Sequence, residues 1–174
     1  MSEVKTYLSI EIIIITVLII ILGMVAYQRN SVWKDDLTLW RDTVTKSPNK
    51  ARPHNYMGIS YKNRGLLDKA IEHYQISIRS APAYSEPYNN LGVCYFEKGG
   101  IDSAIQAFRE AISINYKNAE AHYNLGIAYG SKGLYEQAFM EIKKGKELST
   151  EGNWVSILGE MKSKEGRHQQ STGP

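Results

Sequence analysis

The pattern of apolar and polar positions divides the chain into two parts. Residues 8–27 are almost entirely apolar, and Glu11 is the only charged residue among them. Between residues 51 and 152 the pattern changes, because apolar residues recur every three or four positions and glycines interrupt them at regular intervals. This spacing is typical of short amphipathic helices. The sequence therefore predicts an all-α protein, with an apolar N-terminal helix followed by a series of short helices.

The amphipathic part is a 34-residue pattern that occurs three times without a gap, in residues 51–84, 85–118 and 119–152. Each copy carries, in order, a glycine, a tyrosine, a second glycine, an acidic residue, an alanine and a large residue. The three sets are Gly58, Tyr61, Gly65, Asp68, Ala70 and Tyr74; Gly92, Tyr95, Gly99, Asp102, Ala104 and Phe108; and Gly126, Tyr129, Gly133, Glu136, Ala138 and Ile142. This pattern resembles the tetratricopeptide repeat, a helix–turn–helix unit that stacks into an α-solenoid.

Each recurring residue of the repeat has a physical reason. A glycine inside a helix costs about 1 kcal/mol relative to alanine, so the first glycine predicts a close approach of the second helix, with the alanine as the other small surface. The second glycine allows the turn between the helices. The acidic residue meets the positive end of the second helix.

Shorter segments flank the repeats. Residues 29–50 fit the second half of a repeat, because Pro48 lies 34 residues before Pro82, which ends the second helix of the first copy. Apolar residues at helical spacing after Trp154 predict a helix that caps the array. The predicted organisation is a flank (1–7), a transmembrane helix (8–28), a half-repeat (29–50), three repeats (51–84, 85–118 and 119–152), a capping helix (153–164) and a disordered tail (165–174).

The apolar N-terminal run predicts a transmembrane helix. Twenty helical residues span about 30 Å, which is the thickness of the hydrocarbon core of a bilayer. Arg29 and Trp33 follow the run, as interfacial anchors do. A cleaved signal peptide is the alternative, although the run is long and no small-x-small cleavage site follows it. We therefore expect a single-pass membrane protein in which residues 8–28 contact the lipid bilayer.

The sequence leaves open on which side of the membrane the repeats would lie. Lys5 precedes the apolar run, whereas Arg29, Lys34, Arg41 and Lys46 follow it. The positive-inside rule then places the repeats in the cytoplasm.

The segment after the apolar run points to the opposite side. Its R-N-x-x-W-x-x-x-x-x-L-W pattern, followed by S-P-N-x-A-R, resembles the repeat-bearing tail of transmembrane O-mannosyltransferase-like proteins. The resemblance implies an exocytoplasmic array that acts as an accessory subunit or detached tail of a membrane glycosyltransferase. The many-span catalytic part of those proteins is missing from this sequence, so glycosyl transfer itself is not implied.

Composition and residue spacing argue against an enzyme and against a cofactor. The net charge of +3 is small and no run of lysine and arginine stands out, which argues against nucleic-acid binding. His54 and His122 occupy the same repeat position, and no metal-ligand spacing forms around them or around Cys94, the only cysteine. We interpret Cys94 as a buried small hydrophobic residue. No phosphate-binding glycine loop or paired carboxylate arrangement is present.

Binding of a protein or peptide is the function that stacked helical repeats favour, because their first helices line a concave surface. Asn90 and Asn124 occupy the same position on that surface, although asparagine is a poor residue inside a helix. The pair resembles the asparagine ladder of the peptide-binding repeats in O-linked N-acetylglucosamine transferases. Ordinary solvated side chains are the alternative interpretation. The candidate peptide-binding residues are Asn55, Asn89, Asn90, Asn124, Tyr123, Arg52 and Lys62.

We therefore predict an adaptor that binds an extended peptide segment of mixed polarity. The two alternatives are the glycosyltransferase accessory subunit described above and a structural module that forms homo-oligomers through the helix at Trp154.

Overall fold

The computed structural model describes residues 17–25 and 35–149. All regular structure in these two ranges is helical, as the periodicity predicts. The first helical segment, α1, comprises residues 17–25. The others are α2 (Asp36–Lys46), α3 (Ala51–Lys62), α4 (Leu67–Ser80), α5 (Ser85–Glu97), α6 (Ile101–Ile114), α7 (Ala119–Ser131) and α8 (Tyr135–Leu148).

The helices from α2 onward form an α-solenoid. Each predicted repeat is one helical hairpin, which pairs α3 with α4, α5 with α6, and α7 with α8. Each hairpin packs on the next, through α4 against α5 and α6 against α7, and the first helices α3, α5 and α7 also contact one another in succession. Helix α2 lies within the predicted half-repeat and packs on α3, where Trp40 stacks on Tyr56 with ring centroids 4.5 Å apart.

The turn inside each hairpin depends on a glycine in the left-handed conformation. Gly65, Gly99 and Gly133 have φ angles of 73°, 81° and 78°. In the first hairpin the N–H of Gly65 donates to the carbonyl of Lys62, and the N–H of Leu66 donates to that of Tyr61. This pair of hydrogen bonds is the Schellman motif, which satisfies the last carbonyls of a helix. The predicted role of the second glycine in each repeat agrees with this geometry.

The first glycine of each repeat lies directly beneath the large residue of the second helix. A Cβ atom built on Gly58 would lie 2.5 Å from Cε1 of Tyr74, and one built on Gly92 would lie 2.5 Å from Cε1 of Phe108. The close approach was predicted, but the alanine is not its main partner in these two repeats. The glycine makes room for an aromatic ring.

The hydrophobic core is divided among the junctions between successive repeats. One cluster joins Ala70 and Tyr74 of the first repeat to Leu91 and Cys94 of the second. An equivalent cluster joins the second repeat to the third. Cys94 is fully buried, as predicted, and burial raises the pKa of its thiol to about 11. Because each cluster needs two repeats, neighbouring repeats stabilise one another.

The prediction of a single-pass membrane protein is wrong. Within residues 17–25 and 35–149, no helix is long and apolar enough to cross a membrane. Of the apolar run, residues 17–25 are described, and they are helical. The proposed contact of residues 8–28 with a bilayer therefore has no support. The remaining residues of that segment, the predicted capping helix (153–164) and the predicted tail (165–174) lie outside the described residues.

Candidate functional site

A groove of about 490 Å³ lies along the first helices of the repeats. It is lined by residues of α3 and α5, by the residue before α5, and by the segment that leads into α7 together with the first residues of α7. The lining residues are Asn55, Tyr56, Ile59, Tyr84, Glu86, Asn89, Asn90, Asn115, Lys117, Asn118, Ala119 and Glu120. The groove is formed because α3, α5 and α7 contact one another directly, so the same faces of successive first helices lie side by side.

Two asparagine pairs connect the first helices across this surface. Nδ2 of Asn90 donates to Oδ1 of Asn55 at 3.0 Å, and Nδ2 of Asn124 donates to Oδ1 of Asn89 at 3.0 Å. The two bonds are equivalent, since each joins residues 35 apart in successive repeats. Asn55 and Asn89 are only 3% and 2% exposed, whereas Asn90 and Asn124 are half-buried.

The pairing gives the two kinds of asparagine different roles. Asn55 and Asn89 are too deeply buried to meet a ligand, so they fix the orientation of the outer amides. Within the described residues, Oδ1 of Asn90 and Oδ1 of Asn124 accept no hydrogen bond, and each Nδ2 retains a second hydrogen. The two outer amides therefore present the same acceptor and donor, one repeat apart.

Tyrosines form the other side of the groove. Nδ2 of Asn55 donates to the hydroxyl of Tyr84 at 3.3 Å. Burial raises the pKa of Tyr84, and the nearby carboxylate of Glu86 raises it further. Tyr56 is 42% exposed while one face of its ring is covered by Trp40. An apolar surface with Ile59 beside it thus adjoins the amides.

The other predicted site residues do not line this groove. Arg52 is exposed in the first turn of α3, and Lys62 is half-buried at the opposite end of the same helix. Tyr123 is half-buried on α7, and burial raises its pKa. The structure thus brings Asn55, Asn89 and Asn90 together in the groove and joins Asn124 to them by a hydrogen bond.

Sequence reasoning missed the groove residues that precede the first helices. Tyr84 immediately precedes α5, while Asn115 and Lys117 lie in the connection before α7. The repeat pattern does not single them out, because that pattern marks the residues that pack. A tyrosine and a lysine so close to the start of a first helix were the available signal.

The two repeated histidines belong to the packing between helices. Nε2 of His54 faces the carbonyl oxygen of Pro48 at 2.9 Å, and Nε2 of His122 faces that of Tyr116 at 3.0 Å. A carbonyl oxygen only accepts, so both Nε2 atoms carry hydrogen. The opposite ring nitrogen of His54 lies 3.0 Å from Nδ1 of His73. Among the described residues no group of three or more histidine, cysteine or acidic side chains could hold a metal ion.

The fold and the groove define an α-helical repeat protein whose first helices form an amide-lined surface. Two family models support tetratricopeptide repeats in its second and third repeats. Residues 94–133 match the family described as TPR repeat, and residues 119–151 match the family described as tetratricopeptide repeat.

Solved structures of low sequence identity share this fold. The crystal structure of MamA is 23% identical with a TM-score of 0.60, and the match covers 77% of this chain and 89% of that one. The first TPR domain of Spaghetti (RPAP3), bound to the HSP90 peptide SRMEEVD, is 21% identical with a TM-score of 0.63. That match covers 66% of this chain and 91% of the other. A search of curated proteins finds no match. None of these comparisons supports the resemblance to O-mannosyltransferase-like proteins.

Proposed function

We propose that this protein is a non-catalytic adaptor that binds an extended segment of a partner protein in the groove between α3 and α7. The observation that supports the proposal most strongly is the repeated asparagine pair. The side-chain oxygens of two buried asparagines accept hydrogen bonds from two outer asparagines. Each outer amide keeps one acceptor and one donor that are directed away from those bonds.

An extended peptide is a suitable ligand for such a surface. Its backbone presents N–H donors and C=O acceptors at regular intervals, and an amide side chain can bind either group. Tyr56 and Ile59 provide an apolar surface for a side chain of the same peptide. The similar fold of the Spaghetti domain holds a peptide, which favours this class of ligand here as well.

The outer asparagines should account for a measurable part of the affinity. A hydrogen bond contributes about 0.5–1.5 kcal/mol, so losing two should weaken binding about fivefold to 150-fold. We would select peptides from a random library on the full chain, and then compare their dissociation constants for the unmodified protein and for the Asn90→Ala/Asn124→Ala double variant. Asn63→Ala is the matched control, since Asn63 is an exposed asparagine outside the groove.

The double variant also removes the donors of two buried oxygens, so its folding must be checked by circular dichroism. A second test leaves the protein unchanged. Methylation of single backbone nitrogens in a selected peptide removes one donor at a time, and we expect two positions at which this abolishes most of the binding. Equal affinity for the double variant, together with no sensitive position in the peptide, would refute the role of the asparagines.

The two other functional hypotheses from the sequence stay predictions. No contact within the described residues favours either a glycosyltransferase partner or self-association.

A further inference from the structure

The charges around the groove indicate what kind of peptide it accepts, and this inference rests on the proposed function. We propose that the groove selects basic segments, with lysine or arginine side chains facing Glu86 and Glu120, and disfavours acidic ones.

Glu86 and Glu120 have the same position in two successive repeats, and both line the groove. Both side chains are exposed, and neither forms an ion pair within the described residues. Glu86 does accept a hydrogen bond of 3.4 Å from the hydroxyl of Ser85. The acidic residues at the hairpin turns differ, because Asp68 and Asp102 each pair with a lysine of the next repeat. The two groove carboxylates are therefore left to interact with a ligand.

One cation of the groove opposes this preference without reversing it. Lys117 lines the groove, and its ammonium lies 5.7 Å from the centre of the Tyr116 ring. Two carboxylates against one ammonium leave the groove with an excess of negative charge. Arg52 holds the position of Glu86 and Glu120 in the first repeat, but it lies outside the groove lining. Its charge nevertheless acts to lower the pKa of the groove residue Tyr84, so an acidic residue of the ligand meets a cation either at Lys117 or near Arg52.

The size of the preference follows from the exposure of the carboxylates. Exposed ion pairs contribute little individually, so two pairs together should change the affinity about twofold to thirtyfold. The preference should also weaken as ionic strength rises, because exposed charges are screened by salt.

The test uses peptides selected from a random library on the full chain. We expect the selected peptides to contain more lysine and arginine than aspartate and glutamate, and to bind more tightly than the acidic peptide SRMEEVD. The Glu86→Gln/Glu120→Gln variant should bind them about twofold to thirtyfold more weakly. The Asp68→Asn/Asp102→Asn variant is the matched control, because it removes the same charge from the hairpin turns and should leave the affinity unchanged. A charge-reversed Glu86→Lys/Glu120→Lys variant should select acidic peptides.

The outcomes separate this inference from the proposed function. If binding depends on Asn90 and Asn124 but the selected peptides are acidic or show no charge preference, the inference is wrong and the proposed function stands. If no selected peptide depends on those asparagines, both are wrong. If the Glu86/Glu120 variant and its control lose the same affinity, the effect depends only on the net charge of the protein, and the inference is also overturned.

Discussion

Tyr74 and Phe108 occupy the same position in successive repeats and differ by one hydroxyl group. Both side chains are fully buried above a glycine of the first helix. The hydroxyl of Tyr74 has no hydrogen-bond partner within the described residues. Burial raises the pKa of Tyr74, and the neighbouring Cys94 adds to that effect. The first repeat thus carries a buried polar atom that the second repeat replaces with hydrogen.

Replacing Tyr74 with phenylalanine should therefore stabilise the protein. A buried hydroxyl without a partner costs about 1–3 kcal/mol. Its removal leaves a small void, which costs a few tenths of a kcal/mol at about 24 cal/mol per Å³. We expect Tyr74→Phe to raise the free energy of unfolding by about 1–2 kcal/mol. The reciprocal variant Phe108→Tyr introduces the same orphan group and should lower it by about 1–3 kcal/mol.

The assay is urea unfolding of the full chain, followed by circular dichroism. The dependence of the unfolding free energy on urea should stay the same in both variants, so that only the midpoint moves. Each kcal/mol should also shift the melting temperature by about 4 °C. A loss of stability in Tyr74→Phe would show that the hydroxyl is satisfied in the folded protein, and the reasoning would then be refuted.

Three further predictions concern packing, pH and surface charge. Gly92→Ala should cost about 1–3 kcal/mol because its Cβ would overlap the ring of Phe108, and adding Phe108→Leu should recover part of the loss in a double-mutant cycle. Burial, and next the adjacent histidine, lower the pKa of His73 below 6.5. Below pH 6.5 the unfolded chain then binds more protons than the folded chain, so the free energy of unfolding should be highest above that pH and should fall as the pH drops toward the folded-state pKa. The variant His73→Gln should flatten this pH profile in urea titrations. Lys98→Ala removes an exposed pair with Asp68 and should change the unfolding free energy by less than about 1 kcal/mol, with the remaining effect lost in high salt.

Much of the fold could be predicted because the sequence describes the same unit three times. The copies were placed at residues 51, 85 and 119, and helices α3, α5 and α7 begin at those residues. A glycine seen once is ambiguous, but a glycine recurring before each second helix can only mark a shared turn. The fold therefore followed from the packing positions, whose physical requirements are the same in every copy.

The membrane prediction rested on hydropathy alone. The apolar composition of residues 8–28 predicts favourable transfer into lipid, but spanning also requires one uninterrupted helix of about 20 residues. Among the described residues no such helix exists. Apolar composition alone was an insufficient basis for a localisation.

The site could be predicted only in part, because its key contacts join different repeats. The sequence shows that asparagine recurs at two adjacent positions of the repeat. It does not show that the asparagine at the second of these positions donates a hydrogen bond to the asparagine at the first of them in the preceding repeat. The acceptor Asn55 and the donor Asn90 are 35 residues apart, and neither helix alone indicates the bond. The sequence therefore singled out Asn90 and Asn124, but it also placed the buried Asn55 and Asn89 among the peptide-binding residues.

The same pairing explains why the ladder has two rungs. A rung needs an exposed amide and, one repeat earlier, a buried asparagine that orients it. In the first repeat Tyr56 replaces the exposed amide and stacks on Trp40, so that position attaches α2 instead. In the third repeat Tyr123 replaces the buried asparagine, so no equivalent Oδ1 is available to orient a further amide. Within residues 17–25 and 35–149, only Asn90 and Asn124 meet both conditions, and the peptide backbone should therefore be bound over the two junctions from α3 to α7.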